Sequence, residues 1–262
     1  MSSPKNSPDT RSSVDKAFSL LRSFSDHDAA GVGVSELARR ACLSKSTAHR
    51  LLATLVANGA VERSGDFYRL GPLCFELTSD QGTRAHDMIS EILTPFLAVL
   101  FERTRQTVHL ATLQGNEVVY INKLFSARRI ASPSRIGGRA PAYCTGVGKA
   151  MLAWDYVRAE STIASGLHRW TPYTITDPEE FREELATIRN EGIAYDRQEI
   201  ALGLSCIAAP IFGRNNEPIA AMSVSGASTQ FKPEEHVAAL KRICAAAGRA
   251  ALEHQREFEQ TA

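Results

Sequence analysis

Lys45, Ser46, Thr47, His49 and Arg50 crowd into one short stretch, and all five side chains can donate hydrogen bonds to phosphate oxygens or base edges. Ala48, Leu51, Leu52 and Leu55 are interleaved with them at i, i+3, i+4 and i+7. That spacing predicts a helix with a buried apolar stripe on one face and the donors on the other. Ser44 stands where an N-cap belongs. Lys45 in the first turn opposes the helix macrodipole, and a phosphate partner would explain it. Between Leu37 and Ala60 the chain has four Lys/Arg and no Asp or Glu. The residues expected to meet such a polyanion are Arg39, Lys45, Ser46, Thr47, His49, Arg50, Tyr68 and Arg69.

A second set lies downstream. Gly146-Val147-Gly148-Lys149 invites comparison with a phosphate loop, but a Walker motif needs Gly at 143 and Ser or Thr at 150, where this chain has Tyr143 and Ala150. What survives is a helix start. The amides of residues 146–148 suit an anion such as a carboxylate, Thr145 can donate its hydroxyl, and Gly146 would allow close approach. The competing reading of the same residues is a helix start packed under a sheet. Ser223 and Ser225 alternate and so share a strand face. Cys206 lies in an apolar strand expected to pair with theirs, and Asp196 precedes the Gly-containing turn before it. A half-polar face among Ile, Ala, Met and Val suits a ligand pocket; a solvated face or ordinary core serines are the alternatives.

Enzyme chemistry has little support. Gly203-Leu204-Ser205-Cys206-Ile207 lacks the second glycine of a nucleophile elbow. No two of the seven histidines are spaced as i, i+4 metal ligands on one helix, so neither a metal nor a cofactor is expected. Cys144 and Cys206 keep a redox-responsive reading open beside the commoner role of small buried hydrophobe.

The elements that must position these groups follow from patterning. A helix at 35–41, a turn at 42–44, the donor-lined helix, and strands at 60–63 and 67–70 around Ser64-Gly65-Asp66 give the order of a winged helix-turn-helix. The plainer reading is a helical hairpin with solvated charges. A helix at about 13–25 would cover that core, and 26–33 is expected as a loop. A long helix over about 84–104 should be kinked or split at Pro95. Its Met88, Ile89, Ile92, Leu93, Phe96 and Leu97 exceed what one small domain needs to bury, and so are expected at a two-fold interface. Strands at 108–113 and 118–124 flank Gln114-Gly115-Asn116, and strands at 205–212 and 219–225 form a second hairpin. Helices are expected at 146–154, at 178–190 behind the start Asp177-Pro178-Glu179-Glu180, and at about 233–257. Hairpins interleaved with helices, without strict β-α-β alternation, define an α+β fold.

Length and composition fit that plan. The 262 residues suffice for two cores, and a net charge of +1 places any nucleic-acid affinity in a local patch. No apolar run approaches the roughly 18 residues of a bilayer span. Five scattered cysteines without C-x-x-C argue against a zinc ribbon and for a reducing, cytoplasmic setting. The expected division is a disordered tail at 1–12, a winged helix-turn-helix at 13–71, a linker helix at 72–83 and an effector domain at 84–258.

Several motifs together resemble the IclR-type bacterial transcriptional regulators over nearly the whole chain. They are Ser13-Val14-Asp15-Lys16-Ala17, Lys45-Ser46-Thr47-Ala48-His49-Arg50-Leu51-Leu52, Tyr68-Arg69-Leu70-Gly71, the run from Pro141 to Ala150, and Gly203 to Pro210. The resemblance implies a winged helix-turn-helix joined through a linker helix to a GAF-like domain, a central antiparallel sheet flanked by helices. It implies a homodimer or dimer of dimers on a partly palindromic double-stranded operator, with RNA polymerase a further partner for an activator and no membrane. It implies control of a catabolic operon by a small carboxylic or aromatic acid. It places effector contacts at Thr145, Gly146, Asp196, Leu204, Cys206, Ser223 and Ser225, to which Val147 is added as part of the same helix start. A constitutive architectural DNA binder and an enzyme using the pocket are the rival classes.

Overall fold

The computed structural model describes residues 10–24, 31–74, 84–126 and 134–261. The chain divides into two compact units, 1–82 and 83–262. Most of the assigned tail, the loop at 26–33 and the linker helix at 72–83 lie outside the described residues.

In the first unit, α1 (Ser13–Arg22), α2 (Val34–Arg40) and α3 (Lys45–Ala57) precede β2 (Val61–Ser64) and β3 (Phe67–Leu70). A capping box opens α1: the Ser12 hydroxyl accepts from the Asp15 N–H at 3.1 Å, and Asp15 accepts from the Ser12 N–H at 3.0 Å. Arg11 donates to the Ala41 and Cys42 carbonyls. Arg11 and Ser12, assigned to the tail by sequence, therefore belong to the folded unit. The wing also has a third strand that patterning missed: β1 (Val32–Gly33) pairs with β3. Two residues are too few to show a period. Leu20, Leu37, Ala48, Leu52, Val61 and Tyr68 form the buried centre, each large apolar side chain contributing about 1.5–3 kcal/mol.

The second unit is a six-stranded antiparallel sheet with helices on both faces. The strands are β4 (Thr107–Gln114), β5 (Glu117–Leu124), β6 (Arg139–Pro141), β7 (Ala194–Arg197), β8 (Leu204–Phe212) and β9 (Pro218–Ala227), in the order β6-β5-β4-β9-β8-β7. Alternation assigns each residue to a face. Val108, Leu110, Ile207, Ala209, Met222 and Val224 pack against α4 (Arg84–Thr104) and α8 (Glu234–Thr261). On the other face, Ala208 and Ala221 pack with α5 (Gly146–Leu152), α6 (Tyr156–Ala164) and α7 (Pro178–Glu191). Helix α7 starts as expected, with Asp177 accepting from the Glu179 and Glu180 amides, and ends at Gly192 in the left-handed region.

Helix α4 runs through Pro95 without being split. Its Leu93, Leu97 and Leu100 are fully buried in the unit's own core, with Ile89, Ile92 and Phe96 packed against it. Much of the apolar stripe is thus buried within one chain, which weakens its argument for a two-fold interface. Among the described residues, no helix is long and apolar enough to cross a membrane.

Candidate ligand pocket and nucleic-acid interface

Helix α3 opens as the sequence indicates. The Ser44 hydroxyl accepts from the Thr47 N–H at 3.1 Å and also meets the Thr47 and Ser46 hydroxyls at 2.8 and 3.0 Å. Ala48 and Leu52 are buried, whereas Lys45, Ser46, His49 and Arg50 are exposed on the opposite side and Thr47 is half-buried. Arg39 and Arg40 both clasp Glu36, at 2.6 and 2.8 Å, and Arg39 then Arg40 pull that carboxyl down to about 2. The acid-free stretch therefore begins just after the carboxylate that neutralises it, and Arg39 must exchange a surface partner to meet DNA.

Tyr68 corrects the expected interface. It is 4% exposed and part of the core, because β3 turns it inward between exposed Phe67 and Arg69. The wing offers Arg69 and Phe67 to solvent, and Tyr68 supports them.

The second site follows from sheet register. Thr107 lies opposite Ser225, Ser225 opposite Cys206, and Cys206 opposite Asp196, so one row of polar or polarisable groups crosses four strands on the α5 face. The neighbouring row brings His109 opposite Ser223. Thr145, Gly146, Val147, Asp196, Leu204, Cys206, Ser223 and Ser225 all line a single cavity there, joined by His109, Tyr120 and Ile200. The space is about 20 Å³, room for little more than one water, so a larger ligand must displace part of its lining.

Helix α5 reaches the cavity with its first turn. Thr145 caps it, accepting from the Gly148 N–H at 3.3 Å and donating to the Pro141 carbonyl at 3.2 Å. The Thr145 proton and the Gly148 amide are therefore committed within the protein and not available to a ligand as the sequence suggested. A Cβ on Gly148 would sit 2.1 Å from the Ala142 oxygen, and one on Gly146 would sit 2.7 Å from Cys206 Sγ. Both glycines are required by packing, Gly146 against the Cys206 sulfur.

Two hydrogen-bonded groups surround the cavity, and sequence reading missed both. His109 places Nδ1 3.1 Å from Ser223 Oγ and Nε2 2.8 Å from Ser134 Oγ, while Lys123 Nζ donates to Ser134 Oγ at 2.9 Å. Burial, then the Lys123 charge, holds the imidazole down to about 3, so it carries a single N–H. When Ser134 donates to Nε2, that N–H lies on Nδ1 and donates to Ser223, whose own proton is then free for the cavity. Beneath α5, fully buried Lys149 donates to Glu199 at 2.6 Å and Glu184 at 2.8 Å. Asp196 accepts from the Glu199 N–H at 2.7 Å. Burial, then the Glu199 charge, raises the Asp196 carboxyl to about 7. Burial likewise pushes the Cys206 and Cys144 thiols well above the usual range, which keeps them protonated and unreactive and weighs against the redox reading. Arg139 points away, bonded to Glu117 and Gln114 at the surface.

Comparison with known proteins identifies both units. The IclR helix-turn-helix domain model matches residues 13–65, and the bacterial transcriptional regulator IclR C-terminal model matches 83–252. The chain belongs to the IclR family. It is 36% identical to the HTH-type transcriptional regulator KdgR of Escherichia coli over 242 residues, covering 89% of this chain and 90% of that one. It is 32% identical to the transcriptional repressor IclR of the same organism over 220 residues, 82% of this chain and 79% of that one. Thermotoga maritima IclR superposes with a TM-score of 0.73 at 30% identity, covering 92% of this chain and 97% of that one. An IclR homolog from Microbacterium hydrocarbonoxydans, complexed with 4-hydroxybenzoate, gives 0.73 at 28% identity and covers 92% and 99%. IclR-family proteins are transcriptional regulators with a DNA-binding and an effector-binding domain, and the relatives matched here are regulators, not enzymes.

Proposed function

We propose that this IclR-family chain is a regulator of a catabolic operon whose affinity for operator DNA is set by a small monocarboxylic acid held in the cavity between α5 and the sheet. One observation carries the reading: eight positions spread from 145 to 225 converge on one buried cavity with polar walls. Ser223, whose proton is free when the His109 N–H lies on Nδ1, and Ser225 offer neutral donors to the carboxylate, and Leu204 and Ile200 cover the apolar body. The class of ligand is carried over from the M. hydrocarbonoxydans homolog, which is complexed with 4-hydroxybenzoate. Operator DNA meets Lys45, Ser46, His49, Arg50 and Arg69, with Arg39 joining once it leaves Glu36. A homodimer or dimer of dimers acting in the cytoplasm suits a palindromic operator. RNA polymerase is a further partner in the case of activation. The space is too small for an aromatic acid, so binding must displace part of its lining; differential affinity for the two arrangements is what couples ligand to DNA.

The test is calorimetry of the full chain with benzoate, 4-hydroxybenzoate and short aliphatic monocarboxylates. Ser223→Ala should weaken the tightest of them by about 2–12-fold, the loss of one neutral hydrogen bond. Binding unaffected by Ser223→Ala would place the acid elsewhere.

A further inference from the structure

Asp196 occupies the cavity wall with little to balance its charge. It is 2% exposed, accepting from the Glu199 amide and also from that of Ile200. The groups that act on it come from every surrounding element. Glu199 follows just past the end of its own strand, Lys149 comes from α5, Cys144 from the turn before α5, Cys206 from β8 and Tyr120 from β5. His109 of β4 lines the same cavity. His109 is neutral, and burial holds the two thiols and the Tyr120 phenol protonated. Three carboxylates, Asp196, Glu199 and Glu184, thus surround one ammonium, and Lys149 already spends its contacts on the two glutamates. No Lys or Arg lines the cavity among the described residues.

An anionic ligand entering this space meets Asp196 before any cation. Two carboxylates in one low-dielectric site do not both stay ionised; they share a proton. We propose that Asp196 sets the charge preference of the pocket: it is protonated in the complex and donates a hydrogen bond to a monocarboxylate ligand, so that wherever Asp196 is ionised in the free protein a proton enters from solvent with the anion. The inference rests on the acid-binding reading above and adds the residue that selects for charge. It excludes dicarboxylates, whose second charge has no partner.

The Asp196 carboxyl, raised to about 7 before any ligand enters, is mostly neutral at pH 6 and mostly ionised at pH 8. Linkage then requires affinity to fall about tenfold across that interval, with proton uptake small at pH 6 and close to one per site at pH 8. The experiment is calorimetry of the full chain with benzoate and 4-hydroxybenzoate at both pH values, in phosphate and in imidazole, which both buffer across that interval and differ in ionisation heat. Asp196→Asn keeps a neutral donor at the same place; it should bind acid with little pH dependence and no proton uptake. The proton count on the parent protein decides even if the variant folds poorly. Equal affinity at both pH values without uptake, while Ser223→Ala still weakens binding, would overturn this proposal and leave the pocket standing. Should neither acid bind at either pH, or Ser223→Ala bind like the parent, the acid-binding reading fails and takes the proposal with it.

Discussion

Replacing Lys149 by Met tests what holds the floor of the pocket together. The substitution keeps most of the volume of a side chain that is fully buried and removes the ammonium that meets Glu199 at 2.6 Å and Glu184 at 2.8 Å. Glu184 retains some access to water, with its side chain 18% exposed, but that of Glu199 is only 4% exposed and one of its oxygens already lacks a partner. The cost therefore falls mainly on Glu199. Removing one member of a buried ion pair typically costs about 3–5 kcal/mol. For a unit of this size each kcal/mol lowers the melting temperature by about 2–4 °C, so a drop of about 6–20 °C is expected. Glu199 can escape part of the penalty by taking up a proton, and burial already raises its carboxyl; the deficit should therefore shrink as pH falls from 8 to 5. Adding Glu199→Gln to Lys149→Met should restore much of the loss. Melting followed by circular dichroism on the full chain, with the two transitions resolved, measures it. A drop below about 2 °C, or one that Glu199→Gln does not relieve, would refute the view that this triad anchors the residues over the cavity.

Tyr68→Ala should cost the first unit about 3–5 kcal/mol by opening its core, while Tyr68→Phe should leave DNA affinity nearly unchanged; a specific loss of affinity in the Phe variant would restore Tyr68 to the interface. Arg50→Ala should weaken specific binding by about 1–3 kcal/mol if it reads a base, or lower the salt slope by about one if it meets phosphate, as fluorescence anisotropy at two salt concentrations will tell. Burial, then the Glu199 charge, pushes the Asp196 carboxyl from an ordinary 3.8 up to about 7, so its contribution to stability is present at low pH and is lost as pH rises through about 7. Asp196→Asn lacks that loss and should gain melting temperature relative to the parent at pH 8 but not at pH 4.

The winged unit was legible because its signals are local. The N-cap at Ser44, the stripe through Ala48 and Leu52 and the glycine turn of the wing each lie within a few residues of what they organise. Tyr68 is misplaced because a four-residue strand shows too few alternations to tell which face meets the core; the core takes Tyr68 and leaves Phe67 and Arg69 outside. In the second unit the hairpins and the capped start of α7 were also local, and pairing of β8 with β9 brought Cys206 to Ser225 as expected. His109 and Tyr120 escape notice because each looks like one polar group in an apolar strand; only register, His109 opposite Ser223 and Tyr120 opposite Ala111, brings them to the cavity. With the phosphate-loop comparison failing, the sequence assigns Lys149 no role, since its partners lie 35 and 50 residues away and no periodicity links them. The resemblance to IclR-type regulators supplied the effector positions, and the sheet register supplies their physical reason.

The most direct test of the account is ligand-dependent DNA binding by the full chain. Random duplexes selected on the protein should yield a two-fold-related sequence, and anisotropy titrations on that duplex should shift by tenfold or more with a saturating small monocarboxylate. Ser223→Ala combined with Asp196→Asn should shift the acid concentration required or alter its pH dependence, while affinity in the absence of acid stays the same. A selected site whose affinity no acid changes, or a response untouched in concentration and pH by the double substitution, would contradict the claim that this cavity controls the DNA-binding unit.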